Sequence, residues 1–168
     1  AHFHYTFFPI AIIGTFCGFT YWFPKMFGKM MNETLGKIHF WGTVIPFNGI
    51  FLPLFVLGLA GQHRRIYNFQ HFPDLATPEI QNLRIFATMS LVTMLAFQLV
   101  FFFNLVRSLM SGKKAGKNPW KSNTLEWTAE SPPPHGNWPE GLPTVYRGPY
   151  EYSVPGRDSD YWPQDQKD

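Results

Sequence analysis

Three long stretches of the chain contain no Asp, Glu, Lys or Arg: residues 1–24, 38–63 and 85–106. An α-helix rises about 1.5 Å per residue, so about 20 residues cross the roughly 30 Å hydrocarbon core of a bilayer. Each stretch is long enough to do so. The pattern predicts an all-α membrane protein with three transmembrane helices, over about residues 1–23, 38–59 and 83–110.

Charge and proline divide the chain into two parts. Residues 1–117 carry ten Lys or Arg and three acidic residues, whereas residues 118–168 carry four and eight. The second part also holds nine of the 15 prolines. We expect residues 1–111 to form the transmembrane helices with two loops, and residues 112–168 to form an extended, irregular, Pro-rich tail. The basic residues bracket apolar segments instead of forming a stripe, so no nucleic-acid partner is expected.

The loops predict the orientation of the helices. Residues 25–37, after the first span, carry three lysines, and a basic cluster at residues 107–117 follows the third. The loop between the second and third spans carries Arg64 and Arg65, partly offset by acidic residues. Short loops rich in Lys and Arg stay in the cytoplasm. The tail is therefore expected on the cytoplasmic side, and the start of the chain near the outer face.

His2 and His4 lie at the start of the first span, separated by Phe3. Successive residues of an α-helix turn by about 100°, so the two imidazoles point to opposite sides of the helix. Two histidines that share one metal on a helix are usually four residues apart instead. The spacing favours one imidazole for each of two separate partners, such as two haems. The alternative is a pair of hydrogen-bonded membrane histidines without a cofactor.

Cys17 is the only cysteine, which excludes an intrachain disulfide. It lies within the first apolar stretch and is expected to be a small buried side chain. The first span also begins without a helix-capping residue. We therefore expect the chain to be the C-terminal piece of a longer polypeptide.

Ten short segments follow one another in a fixed order along most of the chain. They are His2–Tyr5, Gly18–Phe19, Tyr21–Met26, Asn32–Leu35, Lys37–Phe40, Leu57–Gly61, Arg64–Arg65, Thr124–Trp127, Pro132–Gly136 and Tyr146–Tyr152. In this order they closely resemble the C-terminal third of subunit I of the haem-copper cytochrome c oxidases. This resemblance implies a fold in which the three spans complete a larger bundle of about twelve helices.

The resemblance implies a role for each residue of the His2-Phe3-His4 segment. His2 would be the proximal ligand of the high-spin, oxygen-reducing haem, and therefore catalytic. His4 would be one of two axial ligands of the low-spin haem, and Phe3 would lie between the two macrocycles. Arg64 and Arg65 would bind haem propionates, because guanidinium groups match carboxylates in bidentate geometry. The alternative for the arginine pair is an interfacial anchor for anionic lipid.

The resemblance also implies the complete enzyme. It would be a proton-pumping cytochrome c oxidase that reduces O₂ to water with electrons from cytochrome c, and this chain alone would be inactive. Its cofactors would be two haems, low-spin a and high-spin a3, and copper B, which upstream sequence would bind. Its partners would be the remainder of subunit I, oxidase subunits II and III, cytochrome c or a cytochrome domain, O₂, the lipid bilayer and a respiratory supercomplex. Its location would be an energy-transducing inner membrane, with the bacterial cytoplasmic membrane favoured over the mitochondrial one.

Two alternatives stay open for the function. A quinol oxidase of the same superfamily would share the haem ligands and take electrons from another donor. A haem-free membrane scaffold would use the two histidines only for polar packing.

Two residues depart from the family pattern. His63 stands where proline is usual before the arginine pair, and Phe55 stands where histidine is often found in a Pro-x-His-Phe-Leu-Gly segment. Neither is expected to touch the proposed ligands. Among the other histidines, His39 is expected to be structural and interfacial, whereas His63, His71 and His135 are expected to face solvent.

Overall fold

The computed structural model describes residues 1–152 and 154–167, and helices dominate it. The α-helices are α1 (His2–Phe8), α2 (Gly14–Phe27), α3 (Glu33–Leu59) and α4 (Pro78–Ser111). A π-helical turn, Pro9–Ile13, joins α1 to α2, and short 3-10 turns occupy Phe69–His71, Pro73–Leu75 and Leu125–Thr128. Within the described residues there is no β-strand, only one isolated bridge. The predicted all-α fold is confirmed.

Three helical segments are long and apolar enough to cross a membrane: His2–Phe27, Glu33–Leu59 and Pro78–Ser111. Each extends four or five residues past a predicted boundary. The predicted boundaries stop near the first charged residue, whereas a helix continues into the interfacial region until its backbone is capped.

Local caps determine where α3 and α4 begin. The side-chain oxygen of Asn32 accepts a hydrogen bond from the Leu35 N–H at 2.9 Å, which satisfies one free donor of the first turn of α3. Glu33 in the same turn pairs with Lys37 at 2.9 Å. Pro78 begins α4, where its missing N–H removes no helical hydrogen bond.

Contacts divide the chain into two units. The first unit comprises Ala1–Cys17 and Asn32–Val106, and the second comprises Gly18–Met31 and Arg107–Asp168. Buried side chains of α3 and α4 form the core of the first unit, and partly buried residues of α1 and α3 pack against it. The buried residues are Phe47, Ile50, Phe51 and Met94, and the partly buried ones are Tyr5, Phe8 and Leu54.

Two glycines of α3 allow α4 to approach closely in the first unit. A Cβ on Gly42 would lie 2.1 Å from the Phe97 ring, and one on Gly49 would lie 2.5 Å from Ser90 Oγ. Gly42 and Gly49 are seven residues apart on α3, and Ser90 and Phe97 are seven residues apart on α4. The contact therefore repeats every two turns. Helices that pack through such small residues are typical of membrane bundles.

Two prolines lie inside α3, yet the helix continues over 27 residues. A proline ring crowds the carbonyl four residues earlier, and the missing N–H leaves that carbonyl without its helical partner. For Pro46 and Pro53 that earlier residue is a glycine, Gly42 or Gly49.

The second unit is organised around a buried lysine. Lys25 is 8% exposed, and its Nζ donates to the Ala129 carbonyl at 2.7 Å and to the carbonyls of Lys117 and Glu130 at 3.3 Å each. The same ammonium lies 4.9 Å from the ring of Trp127, which is 1% exposed. Within this unit the irregular residues after α4 therefore pack against the end of α2. The assignment of residues 112–168 to an extended cytoplasmic tail stays a prediction.

Candidate functional site

One side of α1 packs against α3 and so determines where the neighbouring side chains point. Tyr5 and Phe8 lie one turn apart and contact the same ring of α3, Phe47, with centroid distances of 5.0 and 5.2 Å. The Tyr5 hydroxyl also donates to Asn48 Oδ1 at 2.9 Å. These contacts determine the rotation of α1 about its own axis.

His2 and His4 lie on the two flanks of this contact. At about 100° per residue, they point roughly 90° and 70° to either side of the direction that faces α3. The His2 ring meets the Phe55 ring edge-on, with centroids 4.6 Å apart, and the His4 ring stacks on Phe51, also at 4.6 Å. Both histidines are exposed in this chain. The helical spacing places the two residues on opposite flanks of α1, and each imidazole packs against a different aromatic ring of α3.

Phe3 lies on the side of α1 opposite α3. Its side chain is 62% exposed and stacks on Phe7, with centroids 5.2 Å apart. It also meets His4 edge-on at 5.3 Å. The open side of α1 thus carries Phe3 in the middle and one imidazole on each flank.

A π-helical turn begins at Pro9, five residues after His4. Pro9 has no N–H, so the carbonyl of Tyr5 lacks its usual helical partner. From Pro9 to Ile13 the backbone adopts the wider π-helix, in which the Gly14 N–H donates to the Pro9 carbonyl. Single π-turns frequently occur near functional sites.

One expectation about departures from the family pattern is wrong. Phe55 does touch a proposed ligand, because its ring packs on the edge of His2. Phe51 and Phe55 are one turn apart on α3, and they contact His4 and His2 respectively. The residue that replaces the family's histidine therefore contacts the first candidate ligand.

Arg64 and Arg65 occupy an exposed turn in the loop between α3 and α4. Arg65 has a φ of 61°, in the left-handed region that non-glycine residues rarely adopt. Among the residues that the structure describes, the ion pairs are Glu33–Lys37 and Glu130–Lys117, so neither arginine has a carboxylate partner there. Both guanidinium groups are accessible from solvent.

Arg84 organises this loop, and sequence analysis assigned it no role. Its guanidinium donates to the side chain of Gln62 and to the backbone of Leu75, at the two ends of the loop segment that holds the arginine pair. The only signal in the sequence is an arginine inside the predicted third span. Its partners are 9 and 22 residues away and could not be identified from spacing.

The remaining histidines have simpler surroundings. His39 is 7% exposed, and its Nε2 lies 3.0 Å from Gln98 Oε1, which agrees with a structural role. Its expected interfacial position stays a prediction. The exposure of His63, His71 and His135 confirms their predicted surface positions. Cys17 is exposed in this chain, so its predicted burial is wrong within the residues described.

The histidine pair fits iron-porphyrin ligands better than a shared metal ion. Within residues 1–152 and 154–167, no three His, Cys, Asp or Glu side chains group closely enough to hold a bare ion. A haem iron instead takes one or two axial ligands from the protein. Two accessible imidazoles on separate flanks, with Phe3 between them, meet that requirement for two separate haems.

Comparison with known proteins identifies the family of the chain. The sequence profile of the family described as Cytochrome C and Quinol oxidase polypeptide I matches residues 1–96. The chain is 44% identical over 167 residues to the alternative cytochrome c oxidase subunit 1 of Bradyrhizobium diazoefficiens, covering 99% of this chain and 28% of that protein. It is 41% identical over 158 residues to cytochrome c oxidase subunit 1 of Thermostichus vulcanus, covering 94% and 27%. The corresponding protein of Synechocystis sp. is 40% identical over 153 residues, covering 91% and 26%.

The fold and the site define a helical, multi-pass membrane protein with two exposed histidines on one helix. The chain belongs to the cytochrome c and quinol oxidase polypeptide I family, which confirms the resemblance seen in the sequence. It spans about a quarter of the length of the curated relatives it matches.

Proposed function

We propose that this chain is the C-terminal part of the catalytic subunit of a terminal oxidase. The complete enzyme reduces O₂ to water with electrons from cytochrome c and moves protons across the membrane. The observation that supports the proposal is the pair of exposed histidines, His2 and His4, on α1, each packed on a different ring of α3, in a chain of this family. The relatives named above are cytochrome c oxidases, which favours cytochrome c over a quinol as the electron donor.

In this proposal α1 holds two haems, one on each flank. His2 would hold the iron of the high-spin haem, and His4 would hold the iron of the low-spin haem. The rings of Phe55 and Phe51 limit the rotation of the two imidazoles, so each ligand nitrogen keeps its direction. Phe3 separates the two sites. When bound, the haems supply the electron transfer and O₂ chemistry of the enzyme.

Arg64 and Arg65 bind haem propionates in the same proposal. Their guanidinium groups are exposed and have no carboxylate partner among the described residues. A guanidinium stays charged at any physiological pH and can donate two parallel hydrogen bonds to a carboxylate. The same chemistry would suit anionic lipid, which is the competing role for this pair.

The rest of the enzyme completes the site. The haems are a-type, a and a3, and copper B is bound by the remainder of subunit I. Subunits II and III assemble with it, and a respiratory supercomplex is a further expected partner. The chain lies in an energy-transducing inner membrane, favoured as the bacterial cytoplasmic membrane, with residues 112–168 on the cytoplasmic side.

The test is haem content and donor use of the complete complex. A pyridine haemochrome spectrum of the purified oxidase should show two protein-bound haems per complex, and reduced cytochrome c should support O₂ uptake. A complex without haem would identify a membrane scaffold instead. Oxidation of a quinol but not of cytochrome c would identify the quinol oxidase. This chain purified alone should consume no O₂, and measurable uptake would contradict its proposed status as a part of the catalytic subunit.

A further inference from the structure

Arg84 connects α4 to both ends of the loop segment that carries the arginine pair. Its Nε donates to Gln62 Oε1 at 3.1 Å, and its Nη1 donates to the Leu75 carbonyl at 2.8 Å. Gln62 is itself fixed to the end of α3, because its N–H donates to the Leu57 carbonyl at 2.9 Å. The segment between these anchors is therefore held at residues 62 and 75.

The Arg84 guanidinium also packs against an aromatic ring of the loop, and its Nη2 is buried. Its Cζ lies 3.7 Å from the centroid of the Phe69 ring, which belongs to the loop, and Leu75 is only 3% exposed. Nη2 is buried and has no hydrogen-bond partner among the described residues. The arginine guanidinium is planar, has donors in fixed directions and can stack on an aromatic ring, so it can make these contacts together. A lysine ammonium cannot.

We infer that Arg84 is a positioning residue for Arg64 and Arg65, an inference that rests on their proposed role as a propionate clamp. Only residue 63 separates Gln62 from the pair, and one residue spans at most about 3.6 Å, so fixing Gln62 confines the turn. Arg65 adopts a left-handed backbone, which persists only when the surrounding structure holds it. Arg84 supplies that support by fixing both ends of the segment.

The test uses the assembled oxidase and two readouts. Amide hydrogen exchange of residues 62–75 reports the order of the loop, and the midpoint potentials of the haems report the clamp. The variants are Arg84→Leu, Arg84→Lys and Gln62→Ala. Gln81→Ala is the matched control, because Gln81 Oε1 accepts a 3.3 Å hydrogen bond from the same Nη1 but lies on α4. The double variant Arg64→Gln/Arg65→Gln measures the clamp directly.

Arg84→Leu should accelerate exchange in residues 62–75 on the order of tenfold. It should also lower a haem midpoint potential, in the same direction as the Arg64→Gln/Arg65→Gln variant and by less. The direction follows because a nearby positive charge disfavours the ferric haem, which carries one more positive charge than the ferrous form. Arg84→Lys should resemble Arg84→Leu, since it keeps the charge but loses the planar donor pattern. Gln62→Ala should cause smaller changes in both the amide exchange and the midpoint potential. Gln81→Ala should change neither.

Each failure has a distinct meaning. Unchanged exchange in both Arg84→Leu and Gln62→Ala overturns the inference. Faster exchange with unchanged potentials also overturns it, provided that Arg64→Gln/Arg65→Gln does lower a potential. If Arg64→Gln/Arg65→Gln leaves both potentials unchanged, the propionate clamp itself is wrong, and the role of Arg84 toward it falls as well. Should Arg84→Leu fail to assemble, Gln62→Ala and Arg84→Lys still decide the question.

Discussion

Asn104 on α4 holds both backbone groups of Asn32, the residue that caps α3. Its Oδ1 accepts from the Asn32 N–H at 3.1 Å, and its Nδ2 donates to the Asn32 carbonyl at 3.0 Å. Asn104 is 2% exposed, and its two bonds to Asn32 are partly buried. Asn32 in turn caps the first turn of α3 through its own side chain. The start of α3 is therefore tied to α4 within the first unit.

Replacing Asn104 by leucine should destabilise the protein. The Asn32 N–H would lose its partner, whereas the Asn32 carbonyl keeps its helical hydrogen bond from the Gly36 N–H at 3.0 Å. Loss of such a hydrogen bond costs about 0.5–1.5 kcal/mol. Thermal unfolding of the detergent-solubilised oxidase measures the effect. Ser111→Ala is the control, since the exposed Ser111 hydroxyl bonds only to the Arg107 carbonyl of its own helix. Equal stability of the two variants would show that the bonds to Asn32 contribute nothing.

Gly42→Ala should weaken the packing of α3 on α4. The new Cβ would lie 2.1 Å from the Phe97 ring, so one helix must shift. Overpacking of this kind costs about 1–3 kcal/mol. Gly36→Ala in the same helix meets nothing within 4 Å and should be neutral or stabilising by up to about 1 kcal/mol.

Phe97→Ala should partly rescue Gly42→Ala, because it removes the clashing ring. A double-variant cycle on thermal stability measures this coupling. If the stability losses of the two single variants simply add in the double variant, Gly42 and Phe97 do not contact each other as described.

Lys25→Met should loosen the residues that follow α4 in the second unit. It removes the donor to Ala129, Lys117 and Glu130, and hydrogen bonds to a charged group are worth about 1.5–3 kcal/mol. Amide exchange across residues 115–130 should become faster, while exchange in α3 stays unchanged. Lys113→Met, at an exposed position, is the control. Unchanged amide exchange in both variants would show that the hydrogen bonds of Lys25 do not order the residues after α4.

Phe55→Leu and Phe51→Leu should perturb different haems. Phe55 contacts His2 and Phe51 contacts His4, so each variant frees the rotation of one imidazole. Phe55→Leu should change the absorption of the high-spin haem, and Phe51→Leu that of the low-spin haem. Optical spectra of the reduced complex separate the two signals. The same spectral change from both variants would contradict the assignment of one imidazole to each haem.

The helices could be predicted from the sequence because each leaves a local signal. Uncharged stretches of more than 20 residues locate the three spans, and the divergence of His2 and His4 follows from helix geometry alone. The exact helix ends could not be predicted in this way. α3 begins after its cap Asn32 and α4 begins at Pro78, and both starts lie outside the uncharged stretches.

The contacts around the site depend on pairs far apart in sequence. Phe55 and His2 are 53 positions apart, and Arg84 reaches back 22 positions to Gln62. No local pattern specifies such pairs, because they arise only when α3 packs against α1 and α4. The π-turn at Pro9–Ile13 could not be predicted, since proline removes a hydrogen bond without specifying how the backbone replaces it.

The most direct test of the account is the haem spectrum of two histidine variants in the complete oxidase. His4→Ala should abolish the low-spin haem signal while a high-spin haem remains, and His2→Ala should remove the histidine-ligated high-spin signal while the low-spin haem remains. His63→Ala, on the exposed loop, should leave both signals intact. Two unchanged haem signals in both His2→Ala and His4→Ala would contradict the claim that α1 holds one haem on each flank.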